Sequence, residues 1–186
     1  LTGIYNGDLD WGDYDNDGDL DILLSGASAS GAITKVYQNI NRSFSEDATV
    51  SGQLTNVSEG AANWIDYNND GQLDIFISGN TGSALLSRLY QNSNGSFTAI
   101  SAGITGIKNG SSNWVDYDQD GDLDVLITGD DGTSKIATLY NNDSGAFTDA
   151  SAGLTGVHSS DAKWGDIDND GDLDLVITGD TGSGAT

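Results

Sequence analysis

Cysteine, methionine and proline are absent from the 186 residues, and Lys and Arg together number six against 29 Asp and Glu. Without cysteine there are no disulfides, no zinc-thiolate centres and no cysteine nucleophile, so stability has to come from a core or from a bound ion. The six cations, Lys35, Arg42, Arg88, Lys108, Lys135 and Lys163, are scattered along a chain of formal charge −23. A nucleic-acid binder needs a clustered basic footprint to displace counterions, so nucleic acid is excluded as a partner. No apolar run approaches the ~20 residues of a membrane-spanning helix, and membrane insertion is not expected. What the chain does hold is 26 Gly and 15 aromatics in a composition that is 36% hydrophobic and 19% charged. That is too rich in core formers for a disordered acidic chain, and a folded protein is expected.

One unit recurs along the chain. The four tryptophans, Trp11, Trp64, Trp114 and Trp164, are spaced by 53, 50 and 50 residues. Tyr37, Tyr90 and Tyr140 keep the same step, as do Phe44, Phe97 and Phe147. Leu1-Thr2-Gly3, Leu54-Thr55-Asn56, Ile104-Thr105-Gly106 and Leu154-Thr155-Gly156 run in phase with them. Internal repetition at this period signals a repeat architecture. The predicted units are 1–53, 54–103, 104–153 and a partial 154–186, read together as one domain, 1–186.

Within a unit the pattern is that of β-strands. Asn63-Trp64-Ile65-Asp66-Tyr67 and Leu73-Asp74-Ile75-Phe76-Ile77-Ser78 are short, β-branched and aromatic, and Gly, Asn and Asp clusters bound them. Arg88-Leu89-Tyr90-Gln91 leads through Asn94-Gly95 into Ser96-Phe97-Thr98-Ala99-Ile100. Asn-Gly suits a two-residue type I′ hairpin, whose two central residues both need positive φ; the third unit has Ser144-Gly145 there and the first Asn41-Arg42. Leu73, Ile75 and Ile77 share one strand face and Phe76 takes the other, so both faces are apolar, as in a sheet sandwiched between neighbours. Four antiparallel strands per ~50 residues match a blade of a β-propeller, and the expected fold is all-β. Three complete blades and half of a fourth do not close a ring, which leaves a longer polypeptide, a partner chain or a linear stack to complete the array.

Between the first two strands of each unit lies an aspartate-rich nonapeptide. The loops are Asp13-Tyr14-Asp15-Asn16-Asp17-Gly18-Asp19-Leu20-Asp21, Asp66-Tyr67-Asn68-Asn69-Asp70-Gly71-Gln72-Leu73-Asp74, Asp116-Tyr117-Asp118-Gln119-Asp120-Gly121-Asp122-Leu123-Asp124 and Asp166-Ile167-Asp168-Asn169-Asp170-Gly171-Asp172-Leu173-Asp174. They hold 18 of the 29 acidic residues, so the negative charge belongs to the loops and not to the surface at large. Carboxylates this close repel unless a cation sits among them, and oxygen ligands at positions 1, 3 and 5 of a tight loop suit Ca²⁺ better than Mg²⁺. Gly at position 6 permits the turn. Position 7 is expected to offer its backbone carbonyl, which tolerates Gln72 in place of Asp19, Asp122 and Asp172, and position 9 supplies the last carboxylate. About one Ca²⁺ per repeat, four in all, is expected. An EF-hand is rejected because position 12 is Leu24, Ile77, Ile127 or Ile177 in place of a bidentate Glu.

With these loops the chain resembles the FG-GAP/VCBS repeats of integrin α-subunit propellers and of many secreted bacterial proteins, whose blades carry a D-x-D-x-D-G-x-x-D calcium loop between their first two strands. The resemblance covers essentially the whole chain. It implies side-chain ligands at positions 1, 3, 5 and 9 and a carbonyl ligand at position 7, and a secreted or cell-surface location. Asn68 and Gln72 depart from the pattern, and weaker calcium binding is expected in the second loop.

No unique acid, base or nucleophile constellation stands out, and an enzyme is not expected. The recurring tryptophans are expected in blade-to-blade packing, and His158 in an exposed connector. The loops after the second strand vary between units, namely Gly26-Ala27-Ser28-Ala29-Ser30-Gly31, Gly79-Asn80-Thr81-Gly82-Ser83-Ala84 and Gly129-Asp130-Asp131-Gly132-Thr133-Ser134. Variable loops on a rigid scaffold are the expected partner face. The resemblance implies a calcium-stabilised extracellular propeller segment for adhesion or for recognition of a protein or glycan. A lectin propeller, and a structural repeat of a surface filament or spacer in a larger secreted enzyme, are the alternatives. Further blades or copies of the same chain are the other expected partners.

Overall fold

A computed structural model describes residues 1–182; the last four residues of the predicted fourth unit, 183–186, lie outside them. Among the described residues, fourteen strands form four antiparallel sheets. The first sheet orders β1 (Tyr5–Gly12), β2 (Asp21–Ser28), β3 (Gly31–Ile40) and β4 (Ser43–Glu46) as a meander. After α1 (Ala48–Ser51), the second sheet repeats the order with β5 (Ala62–Ile65), β6 (Asp74–Asn80), β7 (Leu85–Ser93) and β8 (Ser96–Ile100). The third comprises β9 (Lys108–Val115), β10 (Asp124–Asp130), β11 (Lys135–Asp143) and β12 (Ala146–Asp149), and the fourth β13 (His158–Gly165) and β14 (Asp174–Asp180). These are propeller blades in an incomplete array, as the repeat predicts.

Strand alternation decides how the sheets stack. In β6, Ile75 and Ile77 join Tyr14, Leu23 and Val36 of the first sheet in one buried cluster, while Phe76 between them packs toward Val125 and Ile127 of the third. Leu126 in turn faces Leu175 and Ile177 of the fourth. Each central strand is therefore apolar on both faces, and full burial of each such side chain stabilises by about 1.5–3 kcal/mol. The hairpin turns take positive φ at both central residues, 54° and 83° at Asn94 and Gly95 and 52° and 93° at Ser144 and Gly145. In the first sheet Asn41 and Arg42 do the same at 54° and 66°, with Arg42 held where a side chain is disfavoured.

The first strands of the sheets line the array's axis. A recurring irregularity puts Asn6, Glu59, Asn109 and Ser159 at positive φ. Glu59 N–H donates to the Asn6 carbonyl at 2.8 Å and Asn109 N–H to the Glu59 carbonyl at 2.6 Å, so neighbouring sheets are tied backbone to backbone. Gly7, Gly60 and Gly110 follow because a Cβ there would collide with the carbonyl oxygens of Ser25, Ser78 and Thr128. These residues border a polar cleft of about 290 Å³ on the axis.

The recurring Leu-Thr landmark also finds its reason here. The Tyr90 hydroxyl accepts from Thr55 N–H and donates to Thr55 Oγ1, both at 2.9 Å, and Tyr37 with Thr2 and Tyr140 with Thr105 repeat the clasp. Each pair fastens the segment entering a sheet to that sheet's third strand.

Two expectations are corrected, and one connector departs from the repeat. Trp64 is 7% exposed and stacks between sheets, but Trp11 is 51% exposed because no sheet among the described residues packs on its face, so the core reading holds for one and not the other. The connector after Phe44 is three residues longer than its counterparts, and the extra length folds into α1, capped by Asp47 accepting from Thr49 and Val50 N–H. His158 opens β13 with Nε2 3.8 Å from Asp180, and is not in a free connector.

Candidate metal centre

Each aspartate loop leaves the first strand of its sheet and enters the second, at one end of the blade. The loop closes on itself through its own backbone. Asp13 accepts from the N–H groups of Asp17 and Gly18, both at 3.0 Å; Asp66 accepts from Asp70 and Gly71, and Asp116 from Asp120 and Gly121. Asp166 accepts from Gly171 N–H at 3.1 Å. Position 5 accepts from position 7 N–H at 2.9 Å in all four loops, at Asp17, Asp70, Asp120 and Asp170. Positive φ at Asn16, Asn69, Gln119 and Asn169 and at the position-6 glycines makes this winding possible.

Position 9 is the anchor. Asp21, Asp74 and Asp124 are fully buried at the head of the second strand, accepting from the N–H of Asn39, Asn92 and Asn142 on the third. Burial, followed by repulsion from neighbouring loop carboxylates and opposed by those N–H donors, pushes Asp21 up to about 6 and Asp74 up to about 7, and moves Asp124 in the same direction. Asp74 Oδ2 is buried without a hydrogen bond. Asp174 is exposed, since β14 has no third strand beside it among the described residues.

The winding gathers oxygens. Carboxylates of Asp13, Asp15 and Asp17 lie within 4.8 Å of one another, as do those of Asp116, Asp118 and Asp124 and of Asp166, Asp168 and Asp174. No Lys, Arg or His pairs with any of them among the described residues; the ion pairs join Lys35 to Glu46, Lys135 to Asp130, His158 to Asp180 and Lys163 to Asp161. The second loop forms no such carboxylate group among the described residues. There the Asn68 side chain donates to Asp70 Oδ2 at 3.1 Å, and its oxygen accepts from Asp70 N–H. An all-oxygen donor set of this kind could hold a hard divalent cation, and the orphaned Asp74 oxygen fits the same occupant.

Two roles escape a reading of the loops one at a time. The position-7 side chains of the second and third loops turn away from the loop centre, with Gln72 accepting from Asn94 N–H at 2.7 Å and Asp122 from Ser144 N–H at 2.8 Å, so each pins the adjacent hairpin. The position-4 amides of the second and third loops reach into the next loop. Asn69 Nδ2 donates to the Gly121 carbonyl and to Asp122 Oδ1, both at 2.9 Å, and Gln119 Nε2 to the Gly171 carbonyl at 2.9 Å and Asp172 Oδ1 at 3.4 Å. The signal for both lay in the constant register between repeats, not within any nonapeptide.

The family model described as FG-GAP-like repeat matches three times, at residues 13–77, 66–127 and 116–177. The chain belongs to the FG-GAP-like repeat family. Each match opens on position 1 of one aspartate loop and closes in the strand beyond the next, so the FG-GAP-like unit is bounded by the loops themselves. No curated protein matches the chain.

Proposed function

We propose that this FG-GAP-like chain is a calcium-stabilised, extracellular propeller segment that serves adhesion or recognition of a protein or glycan, and that it performs no catalysis. The observation that carries the reading is the convergence of three carboxylates in each of three loops with no basic side chain to neutralise them. The proposed ligands are the side chains at positions 1, 3, 5 and 9 and the position-7 carbonyl, with the second loop the weakest because Asn68 already occupies Asp70.

Topology supports a structural ion and not a reactive one. The variable loops join the second and third strands, at the end of the blade opposite the aspartate loops. The eight residues of β2, at about 3.3 Å each, put roughly 25 Å between the two ends. An ion that pins one end leaves the other free to present Ser30, Thr81 and Ser83, or Asp131 and Thr133 to a partner. Extracellular modules bind calcium with affinities around 10⁻⁴–10⁻³ M. Each site adds stability by mass action, about 2.7 kcal/mol at a hundredfold excess over Kd.

Thermal melts in calcium and in chelator test the reading. The expected result is a melting temperature lowered by chelation and restored by Ca²⁺ in preference to Mg²⁺; identical melts would refute the ion's role. Glycan and protein binding lost on substituting the variable loops, with an unchanged melt, would identify the partner face.

A further inference from the structure

The four aspartate loops are alike in sequence but are not held alike by their neighbours. In the third loop the Gly121–Asp122 peptide is fixed on both sides. Its carbonyl accepts from Asn69 Nδ2 of the second loop, and its N–H donates to Asp120 Oδ1, at position 5 of its own loop, both at 2.9 Å. The Asp122 carboxylate is fixed as well, Oδ1 by Asn69 at 2.9 Å and Oδ2 by Ser144 N–H at 2.8 Å. The fourth loop repeats the clamp from the third. Gln119 Nε2 donates to the Gly171 carbonyl and to Asp172 Oδ1, and Asp172 N–H donates to Asp170 Oδ1.

The second loop is not clamped in this way among the described residues. Asn16, at position 4 of the first loop, has the same left-handed backbone as Asn69 and Gln119, with φ of 58° against 56° and 61°. In place of a bridge, Asn16 and Gln72 line a cleft of about 290 Å³ together with Asp15 and Asn94. The sequence supplies the reason. Position 7 of the second loop is Gln72, which brings no carboxylate, and its Oε1 already accepts from Asn94 N–H at 2.7 Å.

We propose that the position-4 amide is a positioning residue for the ion in the loop that follows it, Asn69 for the third loop and Gln119 for the fourth. The proposal rests on the calcium reading given above. Donation to the Gly121 carbonyl polarises the peptide and strengthens its N–H as a donor to Asp120, a ligand at position 5. The residue whose own carbonyl is the position-7 ligand is thereby held at its N–H and at its side chain before an ion arrives, so less ordering is left for binding to impose. The third loop, clamped from outside and closed by the buried Asp124, is the tightest of the four. The fourth is clamped but ends on the exposed Asp174, and the second has neither the clamp nor an aspartate at position 68.

Amide resonances followed through a titration with calcium chloride test this, with the position-6 glycines Gly18, Gly71, Gly121 and Gly171 each reporting its own loop. Asn69→Gly removes the amide and keeps a residue suited to positive φ. It is expected to weaken the third loop's calcium affinity roughly tenfold and to leave the first loop unchanged. Asn69→Gln is expected to retain native affinity there, since Gln119 serves at the same position. Gln72→Asp supplies the missing carboxylate and is expected to tighten the second loop severalfold, a gain that Asn16→Gly should cancel. Third-loop affinity unmoved by Asn69→Gly, or weakened equally in all four loops, would overturn the proposal and leave the calcium reading in place. A gain from Gln72→Asp that survives Asn16→Gly would overturn it too, because added charge alone would then draw the ion. No calcium-dependent shift at any of the four glycines of the native chain would refute the calcium reading itself, and the proposal with it.

Discussion

Asp74 concentrates the chemistry of the loops in one side chain. Fully buried, with Oδ1 held by Asn92 N–H and Oδ2 without a hydrogen bond, its carboxyl is pushed up to about 7, chiefly by burial. An ionised Asp74 therefore costs stability at neutral pH unless a cation lies against it. Asp74→Asn keeps the oxygen that Asn92 needs and removes the charge, so the sign of its effect depends on the ion. In chelator the variant is expected to melt at or above the native temperature, and in calcium several degrees below it. Destabilisation of equal size in both media would mean that the carboxylate serves only packing. The loop residues themselves were legible, because oxygen ligands at alternate positions with Gly at position 6 form a local pattern. The position-4 contacts were not, since Asn69 and Gln119 act across roughly 50 residues of chain, and only the spacing between sheets brings them to Asp122 and Asp172.

At the level of elements, the first connector shows how a small departure from the repeat becomes structure. Its three extra residues fold into α1, and Asp47 holds that turn from both sides. One carboxylate oxygen accepts from Thr49 and Val50 N–H, and the other accepts from the Tyr14 hydroxyl at 2.9 Å. That hydroxyl belongs to the ring stacked on Trp64, so the cap is joined to the contact between the first two sheets. Asp47→Ala removes a helix cap and strands a hydroxyl, and is expected to cost about 1–2 kcal/mol in urea unfolding. Tyr14→Phe in the same background is expected to add little, because its partner is already gone; independent, additive losses would show that the two contacts are not coupled. Strand identity and face were readable from alternation, as Ile75 and Phe76 illustrate. The helix was not, because four residues are too short to show a helical period and only the 53-residue spacing marked them.

Over the whole molecule, the same sheet is repeated with unequal neighbours, and stability is expected to follow neighbours and not sequence. Among the described residues, the second and third sheets are covered on both faces, the first on one, and the fourth on one with its second strand as an edge. Trp11 and Trp164 occupy equivalent positions, yet periodicity alone does not say which sheet is terminal, which is why burial was legible for the motif and not for each copy. In an array where each unit contacts only its neighbours, stability is a sum of unit and interface terms, and local opening follows the weakest of them. Amide exchange in dilute solution is accordingly expected to be slowest in β6 and β10 and fastest in β14. Gln119→Ala cuts the side-chain link from the third loop to the fourth without touching a buried group. It is expected to accelerate exchange in β13 and β14 severalfold while leaving β2 and β6 unchanged. Acceleration spread evenly over all four sheets would show that the array opens as one cooperative body, with the loop contacts sharing their strain across every blade.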